Sequence, residues 1–403
     1  MTTEVDPFQR FEDAQAGGDR DPYPDWAEMR ARGPVHTVDL RAEYDLDESI
    51  EIDLPPAYVV LSYDGVTQVL RDPGSFSSKF YADTMGAVMG HSILEMDEPE
   101  HHHYRGLIQQ AFTKKALDRW QDELVRPMVE SIVDEIAARG HGDLVRELTF
   151  PFPVRVIAGM LGLPAEDLPQ FHRWAVELIS VGFDFEVGVA ASEKLRDYFA
   201  SVLAPRRSAP ENDLISVLAQ ASLDGKQLDD EQIFAFLRLL LPAGAETTYR
   251  SSSNLLFGLL SNTDQLEALR ADRSLLPQAI EEGIRWEPPL TAIARWATRE
   301  VEIDGVPVAA ESLIQVNMGA ANRDPKRWER PEEFDIFRPP LQHVSFALGP
   351  HTCLGMHLAR METTVAMETI LDRLPKMRID PAAEDVHIRG RAFRAPASLP
   401  VLC

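Results

Sequence analysis

Cysteine is almost missing from this chain: 403 residues contain two, Cys353 and Cys403. So low a count excludes a disulfide-stapled secreted scaffold. With both thiols read as reduced, the expected compartment is the cytoplasm. Long apolar runs are missing too. Nothing approaches the ~18 continuous apolar residues of a membrane span. Residues 1–25 are acidic and polar, without the apolar stretch of a signal peptide. Basic residues are scarce, 40 Lys and Arg against 65 Asp and Glu, for a net charge of −25. That balance disfavours nucleic acid and anionic membrane surfaces as partners. Internal repeats and low-complexity tracts are absent as well.

What is present is apolar content of 44%, enough for a substantial core. Length alone allows two or three domains. The stretch that stands out is Phe346-Ala347-Leu348-Gly349-Pro350-His351-Thr352-Cys353-Leu354-Gly355, a Gly- and Pro-rich loop running into a helical segment from Met356. A thiol just before a helix meets unpaired N–H groups and the positive end of the dipole. There its pKa is expected to be lowered, making it a metal ligand or nucleophile. The plainer alternative is a buried core cysteine.

Elsewhere the pattern is mostly helical. Residues 25–32 read as a short helix, and Ser62 caps another running to residue 71. Strands are expected near Tyr58 and over 293–297, 313–316 and 386–393. The acidic run 43–53 reads as a solvated loop, or as a short edge strand over 50–54. Helical periodicity over 120–207 breaks at Gly140-His141-Gly142, at Leu163-Pro164 and at residues 182–185. The longest helical segment spans 229–262 and opens on a capping box, Asp229 with Gln232. Inside it, Pro242, Gly244, Glu246 and Thr247 break the local rules, and Pro242 is expected to bend the helix. Such breaks gather at functional sites.

Three adjacent histidines, His101 to His103, suggest a metal site. Neighbours on a helix point about 100° apart, so they do not converge on one ion. His101 and Arg105, four apart, share a face. Lys114, Lys115 and Arg119 form a basic island, either a docking patch for an acidic protein or a solvated helix face. Glu282 and Arg285 are spaced to pair on a helix, ahead of Trp286-Glu287-Pro288-Pro289.

In this order the landmarks resemble the cytochromes P450. Phe346, Gly349, His351, Cys353 and Gly355 fall on that family's haem loop, with Ala347 where Gly is often found. His101 and Arg105 fit Pro-Glu-His-x-x-x-Arg, and Ala243-Gly244-Ala245-Glu246-Thr247 fits the oxygen-binding helix. Glu282 and Arg285, with Arg338, match the family's buried structural network, and Arg295 matches a third propionate ligand. The landmarks run from Pro99 to Gly355.

The resemblance implies a mainly α fold, one domain over 1–403, with small β-sheets around haem b, iron protoporphyrin IX. It implies Cys353 as the axial thiolate, which favours O–O cleavage. His101, Arg105, Arg295 and His351 would hold the propionates. Thr247 would bond the carbonyl of Ala243 and open a groove, with Glu246 feeding protons. Two electrons would arrive singly from a separate ferredoxin served by an NAD(P)H-dependent reductase, since no flavin or iron–sulfur domain is read in the chain. One atom of O2 would enter an unactivated C–H bond of a lipophilic terpenoid, steroid or fatty acid. The protein would act as a monomer. Met85, Val88, Met89, Ile93, Leu290, Ile293 and Phe393 are the candidate substrate pocket, and residues 182–185 a lid whose aromatics line the channel. Two other classes compete, a peroxygenase and a haem-thiolate sensor. Both lack use for the Glu246–Thr247 pair.

Overall fold

The computed structural model describes residues 21–43, 54–182 and 184–403. Helices form most of it: α1 (Tyr23–Arg32), α2 (Tyr63–Arg71), α3 (Glu100–Ile108), α4 (Lys114–Trp120), α5 (Arg126–Arg139), α6 (Pro151–Met160) and α7 (Leu168–Ile179). Then come α8 (Phe185–Ser208), α9 (Leu214–Gln220), α10 (Asp230–Leu240), α11 (Thr247–Ser261), α12 (Thr263–Ala271), α13 (Leu276–Trp286) and α14 (Met356–Arg373).

Local chemistry explains several boundaries. Ser62 accepts the Gly65 N–H at 3.1 Å and starts α2, which buries Val66, Val69 and Leu70. α1 starts at Tyr23, two residues before the expected position, because Pro24 sits in its first turn, where no N–H is needed. Gly140, at φ +74°, ends α5 in the left-handed conformation. The capping box holds α10: Gln232 N–H to Asp229 at 2.9 Å, and Asp229 N–H to the Gln232 side chain at 2.8 Å. Pro242 is accommodated by a π-helical turn, Leu241–Glu246, which joins α10 to α11.

The main sheet contains β1 (Val35–Thr37), β2 (Ala57–Val60), β3 (Phe76–Ser77), β4 (Ala292–Ala297) and β5 (Ser312–Asn317), in the order β1-β2-β5-β4-β3. Only β2 and β5 run parallel; the other neighbours are antiparallel. In β4, Ile293 and Arg295 lie on one face, opposite Val316 and Ile314. The strand expected over 386–393 is shorter, Ile388–Arg389. Gly390, at φ +93°, turns the chain there, and a Cβ would lie 2.1 Å from the Phe393 carbonyl oxygen. Phe393 keeps one bridge, to Leu290.

One hydrophobic core joins the helices and a second lies on the sheet. α11 runs through the first, packing on α6, α13 and α14. Among the described residues no helix is long and apolar enough to cross a membrane. Beyond Glu43, which ends a short helix, the acidic run 44–53 and the possible edge strand over 50–53 lie outside the described residues. Phe183 of the expected lid does too. Phe185, expected to line the channel, is 61% exposed at the start of α8, too open to be packed into a channel wall.

Candidate active site

The loop before α14 is shaped by its backbone. Gly349 has φ +73°, and a Cβ there would lie 2.3 Å from the Leu70 carbonyl oxygen, so only glycine fits. Ala347 also has a positive φ, +55°, which explains why glycine is the commoner choice at that place. The Cys353 N–H donates to the Phe346 carbonyl at 2.8 Å, closing the loop, and Arg360 lies 4.5 Å above the Phe346 ring. A Cβ on Gly355 would meet nothing. Cys353 keeps an open surface, unlike a packed core cysteine, although protein surrounds the loop it sits in.

The expected lowering of the thiol pKa is overturned. Desolvation in this deep-set loop pushes Cys353 up, against the amides of Gly355 and Met356 and the charges of Arg105 and Arg360. The helix start acts in the expected direction, but burial outweighs it. A coordinated metal cation would reverse that balance, since it deprotonates a thiol outright.

Four basic groups meet beside this loop. The rings of His101 and His351 stack with centroids 4.0 Å apart. His351 Nε2 lies 3.2 Å from Ser78 Oγ, and Arg105 donates to the Thr352 carbonyl at 2.6 Å. Arg295, from β4, is buried and donates to its neighbour Ala294 at 2.8 Å. Among the described residues neither Arg105 nor Arg295 has an ion-pair partner. Burial lowers the pKa of both. His351 is pushed down to about 3 by burial and then by Arg295, His101 and Arg105. His101 is lowered too, chiefly by burial, although Glu98 sits 3.2 Å from its Nδ1. Its Nε2 is buried with no hydrogen-bond partner. The cluster therefore lacks negative charge and an acceptor. A haem, with two propionates and an open thiol beside it, fits that deficit. Of the three adjacent histidines, His101 is buried, His102 exposed and His103 half-buried, and among the described residues no three His, Cys, Asp or Glu side chains are grouped to hold a metal ion.

At the start of α11, the Thr247 hydroxyl donates back to the Ala243 carbonyl of the π turn at 2.7 Å. Ala243 is exposed between the half-buried Pro242 and Gly244, and Gly244 lets α6 approach, its Cβ position 3.3 Å from Ile157. Glu246 is buried and bound to Arg250 at 2.8 Å. Burial raises its pKa, with Arg250 opposing. Arg250 lies over the rings of Tyr249 and Phe393, at 4.9 and 5.4 Å.

Sequence reasoning missed Glu362. It is buried on α14, bonded to the Thr248 hydroxyl of α11, and burial pushes its pKa up to about 8 from the ordinary 4.5. Between those values the native state keeps a proton that the unfolded chain releases. Stability should fall across that window as pH rises, by about 1.4 kcal/mol per unit. Glu362→Gln should remove the slope. Its melting temperature should exceed the parent's by a margin that widens from pH 5 to 8. Parallel curves would show that the carboxyl is not perturbed.

Glu282, Arg285 and Arg338 meet as one buried network. Arg285 grips Glu282 through two bonds of 2.7 and 2.8 Å, and Arg338 Nε reaches it at 3.2 Å. A second network was not foreseen. Glu287 is buried between Arg394 at 2.7 Å and Arg323 at 3.5 Å, and accepts the Tyr23 hydroxyl at 2.8 Å. The string Trp286-Glu287-Pro288-Pro289 marked the acid, but its partners come from distant parts of the chain.

The pocket candidates divide. Met85, Val88, Met89 and Ile93 belong to the core shared with α8 and α10, whereas Leu290 and Ile293 pack with the sheet. Leu290 bridges to Phe393. Met89, at 1% exposure, is core rather than pocket wall, because its surface is already used in packing.

Comparison with known proteins agrees with this architecture. Residues 184–383 match the family model described as Cytochrome P450. The putative cytochrome P450 YjiB of Bacillus subtilis is 33% identical over 93% of each chain. A steroid C26-monooxygenase of Mycobacterium tuberculosis is 33% identical over 79% of this chain and 81% of its own. The crystal structure of CYP109E1 from Bacillus megaterium in complex with testosterone superposes with a TM-score of 0.85 at 33% identity, covering 95% of this chain and 99% of that one. With helices, sheet and thiol loop in that arrangement, the chain belongs to the cytochrome P450 family of monooxygenases.

Proposed function

We propose that this protein binds haem b through Cys353 and inserts one oxygen atom from O2 into a lipophilic small molecule, with electrons from a separate ferredoxin and its reductase. The observation that carries the reading is an open thiol at the start of α14 beside four basic groups in deficit of negative charge. When bound, the haem supplies O2 activation. His101, Arg105, Arg295 and His351 hold its propionates. Thr247, anchored on Ala243, offers a hydroxyl for proton transfer on the α11 side. Glu246 holds its proton or releases it according to its pairing with Arg250. Apolar side chains, Leu290, Ile293 and Phe393 among them, exclude water from the substrate side. The similarity to a steroid C26-monooxygenase and to a testosterone-bound structure supports a lipophilic substrate of that kind.

Within the basic island, Lys114 is tied to Asp118 at 2.6 Å, which leaves Lys115 and Arg119, the latter bonded to the neutral Asn212 side chain, as the cations for ferredoxin docking.

One assay tests the oxygenase reading: NADPH, product and peroxide measured together, with ferredoxin at low and high salt. Thr247→Ala should keep NADPH consumption while product per NADPH falls roughly tenfold or more and peroxide rises. Lys115→Glu should slow turnover at low salt only. Unchanged coupling in the first variant would mean that a water or the substrate delivers the proton. A rate insensitive to salt would remove the docking assignment. Turnover with peroxide alone would identify a peroxygenase, and no turnover with any donor a sensor.

A further inference from the structure

The molecule contains a further buried cation that neither the haem cluster nor the two ion-pair networks use. Arg238 lies near the end of α10 and is 7% exposed. Its Nε donates to the Phe234 carbonyl of its own helix at 3.2 Å. Its Nη1 reaches the Ser192 hydroxyl of α8 at 3.1 Å and, weakly, the Val88 carbonyl at 3.4 Å. All three acceptors are neutral. Among the described residues no carboxylate lies within ion-pair distance of Arg238. Glu231, whose charge acts on Arg238 through space, is occupied by Arg196 on the surface. Burial disfavours the charge, as the downward direction of its pKa records.

A cation placed this way is expensive unless something compensates it. Holding the elements together does not require one. The Ser192 hydroxyl already bonds the Val88 carbonyl at 2.5 Å, so a neutral amide at position 238 could complete the same tie. The remaining nitrogen, Nη2, makes no hydrogen bond, yet it is not among the sealed unpaired atoms and so keeps access to open space. Gly90, at φ +89°, leaves room for it: a Cβ there would come within 2.8 Å of Nη2. The guanidinium thus sits where the Met85–Met89 segment, α8 and α10 meet, with its outer edge unpaired.

We propose that Arg238 anchors the carboxylate of the substrate, which is therefore an amphiphilic acid rather than a neutral lipid. The inference rests on the oxygenase reading above and narrows it. A guanidinium edge matches a carboxylate in two parallel hydrogen bonds. Arg238 precedes Thr247 by nine positions on a helix interrupted by the π turn, so at no more than ~1.5 Å and about 100° per residue the two lie within about 13 Å along the axis and on different faces of it. An acid held there must reach around the helix as well as along it, so the carbon it presents for oxidation is at least that far from its carboxylate. A chain of about twelve carbons spans the distance, as does a fused-ring skeleton bearing an acidic side chain.

The test compares dodecanoic acid with methyl dodecanoate on the holoenzyme, by calorimetry and by the Soret shift. The acid should bind roughly ten- to hundredfold more tightly than the ester in the parent. Arg238→Gln should erase that preference while ester affinity stays near the parent's. Arg238→Lys, which keeps the charge, should preserve part of it and guards against misfolding of the neutral variant. Equal binding of acid and ester in the parent, binding of neither, or equal loss of both in Arg238→Gln would overturn the anchor. The carbon monoxide spectrum and oxidation of the ester report separately on the oxygenase assignment. An enzyme that oxidises the ester without preferring the acid would defeat the anchor alone.

Discussion

Glu282→Ala should yield little soluble, haem-loaded protein. Glu282 accepts from Arg285 Nε and Nη2, from Arg338 Nε and from the Asp335 N–H at 2.9 Å. All three side chains are buried. Alanine would leave two guanidinium groups facing each other with no anion between them. Removing one partner of a buried pair costs roughly 3–5 kcal/mol, a large share of a typical stability of about 5–15 kcal/mol. The remaining Arg285 bonds, to the carbonyls of Asn322, Pro331 and Glu333, keep the cation in place and so preserve the penalty. Glu282→Gln retains an acceptor and the side-chain volume, and should lie between alanine and parent. Soluble yield, haem content and melting temperature measure the effect. A Glu282→Ala variant with parental values in all three would show that the network does not support the fold.

The second large effect is on chemistry. The reduced carbon monoxide complex of the parent should show the strongly red-shifted Soret band of thiolate ligation. Cys353→His should lose that band and all monooxygenase activity while remaining folded. The loop geometry does not depend on sulfur: the closing bond is between the Cys353 amide and the Phe346 carbonyl, and Gly349 sets the turn. Cys353→Ser, which adds no volume, serves as the second variant. Cys403→Ser should behave like the parent, because Cys403, whose N–H donates to the Gly140 carbonyl at 2.9 Å, lies at the end of α5 rather than at the basic cluster. A parental histidine-type spectrum, or an intact band in Cys353→Ser, would reject Cys353 as the ligand.

Much of this site was legible because the chemistry imposes short, ordered patterns. A sharp turn that brings Gly349 against the Leu70 carbonyl admits only glycine, so the loop carries its own signature. The Asp229–Gln232 box is likewise a local contract between two side chains and two amides. Even the Glu246–Arg250 pair is readable at its four-residue spacing. Its burial is not, and burial favours the Glu246 proton while the pairing with Arg250 competes with it. The strand over 386–393 failed for a local reason of a different kind. Gly390 adopts a positive φ that β-branched neighbours do not reveal.

Through their resemblance to a known family, the sequence motifs by themselves therefore implied the family, the mainly helical architecture, and which cysteine, threonine and acidic residues stand in the motif positions. Tertiary structure alone decided the electrostatics. Desolvation depends on how much protein surrounds a group, and charge neighbours come from anywhere in the chain. For that reason the Cys353 pKa rises instead of falling, and His351 is driven down by Arg295 and Arg105 from other elements. The same reason hides Glu362, Arg238 and the Glu287 network from any reading of the chain in order. Each is an ordinary charged residue on a helix or at its end until folding removes the water around it.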